Sequence, residues 1–120
     1  MILDTNILIA YLDGQKQVVE AIQSWRSRGP LFISTVTTLE MLAFAELTPA
    51  DTEKIKNFLQ GFISIPLDDF LAETAALFKR TYNLELPDAA IAATAATKQL
   101  PLVTRDRQFR KIREITVIEI

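Results

Sequence analysis

Residues 86–106 read LPDAAIAATAATKQLPLVTRD and place a helix directly before a buried strand. Pro87 suits the first position of a helix, and the alanine-rich run after it predicts a helix to about Lys98. Leu102 to Thr104 form a short apolar run of the kind found in strands that are covered on both faces. This helix–strand order recurs along the rest of the chain.

Short apolar runs alternate with longer helical segments throughout the 120 residues. The predicted strands are 1–4, 31–34, 62–65, 102–104 and 115–120. The predicted helices are 6–12, 15–28, 37–47, 48–61, 68–80 and 86–98, with a short one at 107–111. Continuous rather than alternating apolar strands predict a parallel sheet. We therefore predict an α/β fold in a single domain over residues 1–120, a three-layer doubly wound sandwich with a roughly five-stranded parallel sheet flanked by helices.

The chain has neither cysteine nor histidine, which excludes several kinds of active site. There is no disulfide framework, no Cys nucleophile, no Ser-His-Asp triad and no histidine-ligated zinc. Catalysis must therefore rest on carboxylates, lysines, hydroxyls or a hard metal ion that prefers oxygen ligands. The formal charge of −2 argues against nucleic-acid binding by bulk charge alone.

The sequence shows no membrane or export signal. Charge interrupts every apolar stretch before the roughly 18 residues that a spanning helix needs. The start, Met1-Ile2-Leu3-Asp4, lacks the basic region that opens a signal peptide. We therefore expect a cytoplasmic protein with no membrane contact.

Four carboxylates fall at or near the carboxyl edge of the predicted sheet. Asp4 ends the first strand, Asp106 follows the fourth, Glu40 lies in the helix after the second, and Asp88 opens the alanine-rich helix. Open α/β sheets bind ligands at this edge. Carboxylates that converge there repel one another unless a divalent cation neutralises them, and oxygen ligands suit Mg²⁺ or Mn²⁺.

Most of these residues also have a structural explanation as helix caps or first-turn charges. The alternatives are Asp106 as an N-cap, Thr37-x-x-Glu40 as a capping box, Asp88 as a first-turn charge and Asn6 as a cap of the first helix. Asp4 is the hardest to explain structurally. It lies within the strongly apolar run ILDTNILI, and burial of a carboxylate is costly.

Four motifs follow one another over essentially the whole chain. They are Leu3-Asp4-Thr5-Asn6-Ile7-Leu8, Ile33-Ser34-x-x-Thr37-x-x-Glu40, Leu86-Pro87-Asp88-Ala89-x-Ile91-Ala92 and Leu102-Val103-Thr104-Arg105-Asp106-x-x-Phe109. With these motifs in this order, the chain resembles the PIN domain family, and within it the compact VapC-type toxins of toxin–antitoxin pairs.

The resemblance implies an endoribonuclease that hydrolyses RNA phosphodiesters with Mg²⁺ or Mn²⁺ and serves as the toxin of a toxin–antitoxin pair. The implied catalytic residues are Asp4, Glu40, Asp88 and Asp106, with Asp4, Asp88 and Asp106 as metal ligands and Asn6, Ser34 and Thr104 as supporting polar groups. Implied partners are RNA, a cognate antitoxin protein and a second copy in a homodimer. Water rather than a ribose hydroxyl would attack, which predicts 5′-phosphate and 3′-hydroxyl products.

Six of the 13 basic residues lie between Lys98 and Arg113, where Asp106 is the only acid. A solvated helix face explains most of them equally well. Arg105 lies next to Asp106 in the sequence, and we predict that it contacts an RNA phosphate.

The predicted helix 37–47 is apolar nearly all round. At 100° per residue, Phe44 and Leu47 fall within about 60° of Glu40. A well-buried helix is one explanation. The other is an apolar groove beside the active site, lined by Phe44 and Leu47, in which a partner docks.

Two other classes of protein remain open. One is a catalytically silent PIN-like scaffold that only binds RNA or protein. The other is a phosphoacceptor α/β domain, which also ends its first strand in aspartate. A dehalogenase-type site would place a second aspartate where this chain has Asn6, and a receiver domain would need paired acids on the first strand.

Overall fold

The computed structural model describes residues 1–120, and its five strands form one parallel sheet. The strands are Ile2–Leu3 (β1), Phe32–Ser34 (β2), Ile63–Ile65 (β3), Leu102–Thr104 (β4) and Val117–Glu119 (β5). Their order across the sheet is β3-β2-β1-β4-β5, and every neighbouring pair is parallel. The predicted fold class is confirmed.

Six α-helices and one short 3₁₀ helix connect the strands. The α-helices are Thr5–Leu12 (α1), Lys16–Arg26 (α2), Thr35–Leu42 (α3), Pro49–Leu59 (α4), Asp69–Tyr82 (α5) and Leu86–Lys98 (α6), and the 3₁₀ helix is Arg107–Lys111. Most observed ends lie within two residues of the predicted ones, and α6 and β4 match the prediction at both ends. The last strand is shorter than predicted, with pairing limited to Val117–Glu119. None of the helices combines the length and the hydropathy that crossing a bilayer requires.

Helices cover both faces of the sheet. Successive residues of a strand point to opposite faces, so each strand contributes to two cores. Ile2 and Leu102 face a core built with α5 and α6, whereas Leu3 and Val103 face a core built mainly with α1 and α2. All four side chains are fully buried. Burial on both faces explains why these strands are continuous apolar runs.

Helix α6 lies tightly against the sheet because its inner positions are small. The run from Ala89 to Ala95, interrupted only by Ile91 and Thr94, is buried throughout. Alanine also favours the helical conformation more than any other residue. Asp88 lies in the first turn of α6.

The prediction of a helix over 37–47 is wrong. Helix α3 already ends at Leu42, and residues 43–48 form the turn into α4. Thr48 precedes Pro49 and caps α4 in an extended conformation, so the chain must leave the helix before this point. Phe44 and Leu47 therefore do not continue the helical face that carries Glu40.

Candidate active site

The site lies where β1 and β4 run side by side, which is the point at which the connections of the sheet change direction. The chain leaves β1 toward β2 on one side, while β4 pairs with β1 on the other. The backbone N–H of Asp4 donates to the carbonyl of Val103 at 2.9 Å, so the pairing extends to the first acidic residue. Open α/β folds bind ligands in the crevice at this switch point.

Asp4 is a buried carboxylate with both oxygens hydrogen-bonded. Its exposed fraction is 5%, and Oδ1 accepts from the Thr5 backbone N–H at 2.8 Å, which caps the start of α1. Oδ2 accepts from the Thr104 hydroxyl at 2.7 Å. Burial raises the pKa of Asp4 above its ordinary value; the two hydrogen bonds oppose this shift, and the charges of Glu40 and Asp106 add to it.

The Thr104 hydroxyl forms hydrogen bonds with three other residues. It donates to Asp4 and accepts from the Asp106 backbone N–H at 3.0 Å and, more weakly, from Asn6 Nδ2 at 3.5 Å. The Asn6 carbonyl oxygen accepts from the Arg105 backbone N–H at 3.4 Å. These bonds tie the loop after β4 to the first turn of α1, and they use the full donor and acceptor capacity of the hydroxyl.

Glu40 reaches the site from α3 through two threonines. Its Oε1 accepts from the Thr5 hydroxyl at 2.7 Å. The hydroxyls of Thr5 and Thr37 lie 3.1 Å apart, and because the single Thr5 proton goes to the carboxylate, Thr37 donates to Thr5. Thr5 thus joins Glu40 to Asp4, since its backbone N–H and its hydroxyl serve one carboxylate each.

Asp88 faces the same cluster from the first turn of α6. Its pKa is raised to about 6, first by burial and then by the charges of neighbouring carboxylates, in the order Asp4, Asp106, Glu40 and Glu85. No side-chain hydrogen bond to Asp88 offsets these effects. The four predicted acids therefore interact through their charges, and two of them carry raised pKa values. Charge penalties of this kind are common at functional sites.

The structural explanations hold for some of these residues and fail for others. Asp106 does cap the 3₁₀ helix, accepting from the Gln108 N–H at 2.9 Å, and it belongs to the acidic cluster as well. The Thr37-x-x-Glu40 capping box is wrong because Ser34 caps α3 by accepting from the Val36 N–H at 3.1 Å. Asn6 does not cap α1, because Asp4 does. Ser34 is fully buried and bonds none of the acids.

The Arg105 side chain contacts the residue after β5 and the residue before α2. Its Nε donates to the Ile120 carbonyl at 3.1 Å, and Nη1 donates to Gln15 Oε1 at 2.7 Å. Gln15 is a neutral partner, and Arg105 is exposed. The predicted phosphate contact of Arg105 remains a prediction.

Neither Phe44 nor Leu47 lines the most apolar groove of the protein. Phe44 is 56% exposed, and Leu47 lines a hollow of about 280 Å³ with Leu12 and Ile55. The most apolar groove, of about 320 Å³, lies between α3, α5 and α6. Its lining is Val36, Leu39, Leu67, Ala72, Ala75, Ala76, Leu86, Pro87 and Ala90.

The donor set fits a hard divalent cation. All four acids offer oxygen, and no softer ligand is present because the chain lacks histidine and cysteine. No three of the carboxylates are arranged to ligate one ion together. Magnesium commonly binds through one or two carboxylates and keeps several waters, and the raised pKa values of Asp4 and Asp88 show that negative charge here is penalised.

Thr5 and Thr37 are site residues that the sequence analysis missed. Both belong to the quoted motifs, directly after Asp4 and three residues before Glu40. The spacing of Thr37 and Glu40 predicts a capping box and carries no sign of a contact between helices. Thr5 itself gives a signal in the sequence, because a polar residue within an apolar run needs a hydrogen-bond partner when it is buried.

The match to known families covers nearly the whole domain. Residues 1–115 match the PIN domain family. The chain belongs to this family. Ribonuclease VapC10 of Mycobacterium tuberculosis is 31% identical over 109 residues, which cover 87% of this chain and 80% of that relative. The residues that match the PIN domain family include all four acids of the candidate site.

Solved structures resemble this PIN domain over their full length. A toxin–antitoxin complex from Klebsiella pneumoniae contains a chain that is 31% identical, with a TM-score of 0.82 and coverage of 99% of this chain and 98% of that one. VapBC2 from Rickettsia felis, solved with a DNA fragment from its promoter, gives a TM-score of 0.86 at 16% identity, with 99% and 97% coverage. The second likeness concerns the fold alone.

Proposed function

We propose that this PIN domain is a divalent-metal-dependent endoribonuclease and the toxin of a toxin–antitoxin pair. The observation that carries the proposal is the acidic cluster at the switch point, in which buried Asp4 is held by Thr5 and Thr104 while its charge is disfavoured. A carboxylate that only caps a helix is not stabilised when burial and neighbouring acids disfavour its charge. A cation-binding site gains affinity from it, because the cation relieves the repulsion.

The chain's own residues supply ligands and orientation. We assign Asp4, Asp88 and Asp106 as the residues that hold Mg²⁺ or Mn²⁺, directly or through water, and Glu40 as a fourth catalytic carboxylate. Asn6 and Thr104 fix the loop that carries Asp106. Ser34 supports the site indirectly by starting α3. When bound, the ion acidifies an attacking water and neutralises charge on the phosphate.

RNA must approach an acidic site, so nearby cations matter. Arg105 has guanidinium donors left over after its bonds to Ile120 and Gln15, and we propose that it holds a phosphate. Arg110 is less available because it forms a two-pronged ion pair with Glu119, with Nη2 and Oε2 2.6 Å apart.

Cleavage of a single-stranded RNA by the purified protein tests this proposal. We expect cleavage with Mg²⁺ or Mn²⁺, none in EDTA, and products that carry a 5′-phosphate and a 3′-hydroxyl. Cleavage that persists in EDTA, or products with a cyclic 2′,3′-phosphate, would contradict the metal-dependent mechanism. Binding of RNA without cleavage under any metal would favour the silent scaffold instead.

We assign the antitoxin to the surface around Phe44 and Leu47. The exposed ring of Phe44 and the hollow at Leu47 offer apolar area, and an arginine from the partner would replace the cation among the acids. Because Phe44 is more than half exposed, Phe44→Ala should fold normally and cleave naked RNA at the wild-type rate. We expect the variant to escape inhibition by the antitoxin, measured as a higher inhibition constant.

We assign the homodimer to the groove between α3, α5 and α6. Leu39 and Leu86, which are each 67% exposed, line this groove together with small side chains such as Ala72 and Ala76. A surface with both protruding leucines and shallow positions can pack against its own copy about a two-fold axis. Leu86→Asp should shift the protein to a monomer in sedimentation velocity, whereas Phe44→Asp should leave its mass unchanged.

A further inference from the structure

We propose that Thr5 is a positioning residue that sets the place of Glu40 relative to Asp4. Its hydroxyl donates to Glu40 Oε1 at 2.7 Å, and its backbone N–H donates to Asp4 Oδ1 at 2.8 Å. One residue therefore fixes one oxygen on each of two carboxylates that belong to different elements. The inference rests on the proposed ribonuclease function, in which both carboxylates act on the same phosphate.

Glu40 depends on this contact because α3 offers it no other hold. The carboxylate lies near the end of a helix of 8 residues and is only half-buried, and the single side-chain hydrogen bond that reaches it comes from Thr5. A glutamate has three rotatable side-chain bonds, so without this donor its carboxylate would sample many positions.

The Thr5 hydroxyl is itself oriented. Thr37, which is fully buried, lies 3.1 Å from it, and because the Thr5 proton goes to the Glu40 carboxylate, Thr37 is the donor in this pair. Threonine also loses little freedom when its side chain is fixed, because branching at Cβ restricts χ1. The order Thr37–Thr5–Glu40 is thus a preorganised chain of donors, and misplacement of a supported group typically costs about 10–100-fold in activity.

Three variants separate positioning from a general packing role. Thr5→Val keeps the shape but removes the hydroxyl, Thr5→Ser restores the hydroxyl, and Thr94→Val is the matched control. Thr94 is buried like Thr5, but its hydroxyl donates only to the Ala90 carbonyl of its own helix, at 2.8 Å. Thermal unfolding of each variant in EDTA reports the cost of losing a buried hydroxyl as such.

The first readout needs neither metal nor substrate. With ¹³C-labelled glutamate, the side-chain carboxyl resonance of Glu40, identified by its loss in Glu40→Gln, is recorded in EDTA at one fixed pH. We expect it to move in Thr5→Val and to keep its wild-type position in Thr5→Ser and Thr94→Val. An unmoved resonance in Thr5→Val would overturn the proposal.

The second readout is RNA cleavage with Mn²⁺. We expect kcat to fall about 10–100-fold in Thr5→Val with KM nearly unchanged, and to recover in Thr5→Ser. A shifted resonance with an unchanged kcat would overturn the proposal, as would equal losses in Thr5→Val and Thr94→Val. If Thr5→Val does not fold, Thr37→Val takes its place in both measurements, with a smaller effect in the same direction. A wild-type protein that cleaves no RNA but shows the expected resonances would refute the proposed function and leave the contact intact.

Discussion

Two helices of this protein have an aspartate at or near their start that accepts from a backbone N–H, yet the pKa values of the two carboxyls are shifted in opposite directions. At α4, Thr48 is the N-cap and accepts from the Asp51 N–H at 3.0 Å, while the Asp51 carboxylate accepts from the Thr48 N–H at 3.2 Å. Hydrogen bonding of this carboxylate with Thr48 lowers the pKa of Asp51. At α1, Asp4 accepts two comparable bonds, but its pKa is raised because burial outweighs them.

The difference separates a structural cap from a functional carboxylate. A cap on the surface gains from being ionised, since water and backbone donors both stabilise its charge. Asp4 is ionised at a cost, next to Glu40 and Asp106. The local hydrogen bonding is similar in both places, so burial and neighbouring charge, not the capping contact, identify the candidate site.

The largest effect expected from this comparison is on catalysis. Asp4→Asn should lower the rate of RNA cleavage by roughly 100-fold or more, because it removes a ligand whose charge stabilises the ion. Asp51→Asn is the matched control and should cleave at the wild-type rate. In EDTA, Asp4→Asn should unfold at the wild-type temperature or slightly above, since one repulsive charge is gone. A strongly destabilised Asp4→Asn would make Asp4 a structural residue.

A smaller effect should appear in the pH dependence of stability at Asp88. Its pKa is about 6 in the folded protein against an ordinary 3.8, so the ionised group costs the most stability above about pH 6, and this cost declines as the pH falls through 6 and is gone below about 3.8. Asp88→Asn should therefore raise the free energy of unfolding near pH 7.5 by about 1 kcal/mol, after allowance for solvent screening, with EDTA present. Thermal melts at pH 7.5 and 4 measure this, and an equal gain at both pH values would contradict it.

The smallest effect should be at Asp51, with the opposite sign. Because the folded-state pKa of Asp51 is lowered, its ionised form adds stability above the ordinary value of 3.8, and this contribution is lost as the pH falls through the lowered pKa. Asp51→Asn should thus melt slightly below the wild type at pH 7 and level with it in strong acid. A variant that melts above the wild type at pH 7 would remove the contrast with Asp88.

The fold was largely predictable from the sequence because local signals and burial agree. Pro87 at the start of α6 and the apolar run of β4 define those two elements without reference to the rest of the chain. The turn at 43–48 was not predictable in this way. Leu42 favours a continued helix and Thr48 with Pro49 requires a new start, but neither signal determines the residue at which α3 ends.

The candidate site was predictable in its acids and not in its hydroxyls. Asp4 and Asp106 are signalled by their place after apolar strands, and the sheet order brings them to one edge. The contact of Thr5 with Glu40 joins residues 35 positions apart in sequence, on helices whose approach is fixed only by tertiary packing. Periodicity within one helix carries no information about such a contact.

The most direct test of the account is a crystal structure grown with Mn²⁺ and measured for anomalous scattering. We expect an anomalous peak about 2 Å from a carboxyl oxygen of Asp4, Asp88 or Asp106, at the edge where β1 and β4 meet. The same peak should be absent from crystals of Asp4→Asn. A protein that cleaves RNA but shows no Mn²⁺ peak at this edge, or binds the ion elsewhere, would contradict the assignment of the acidic cluster as the metal site.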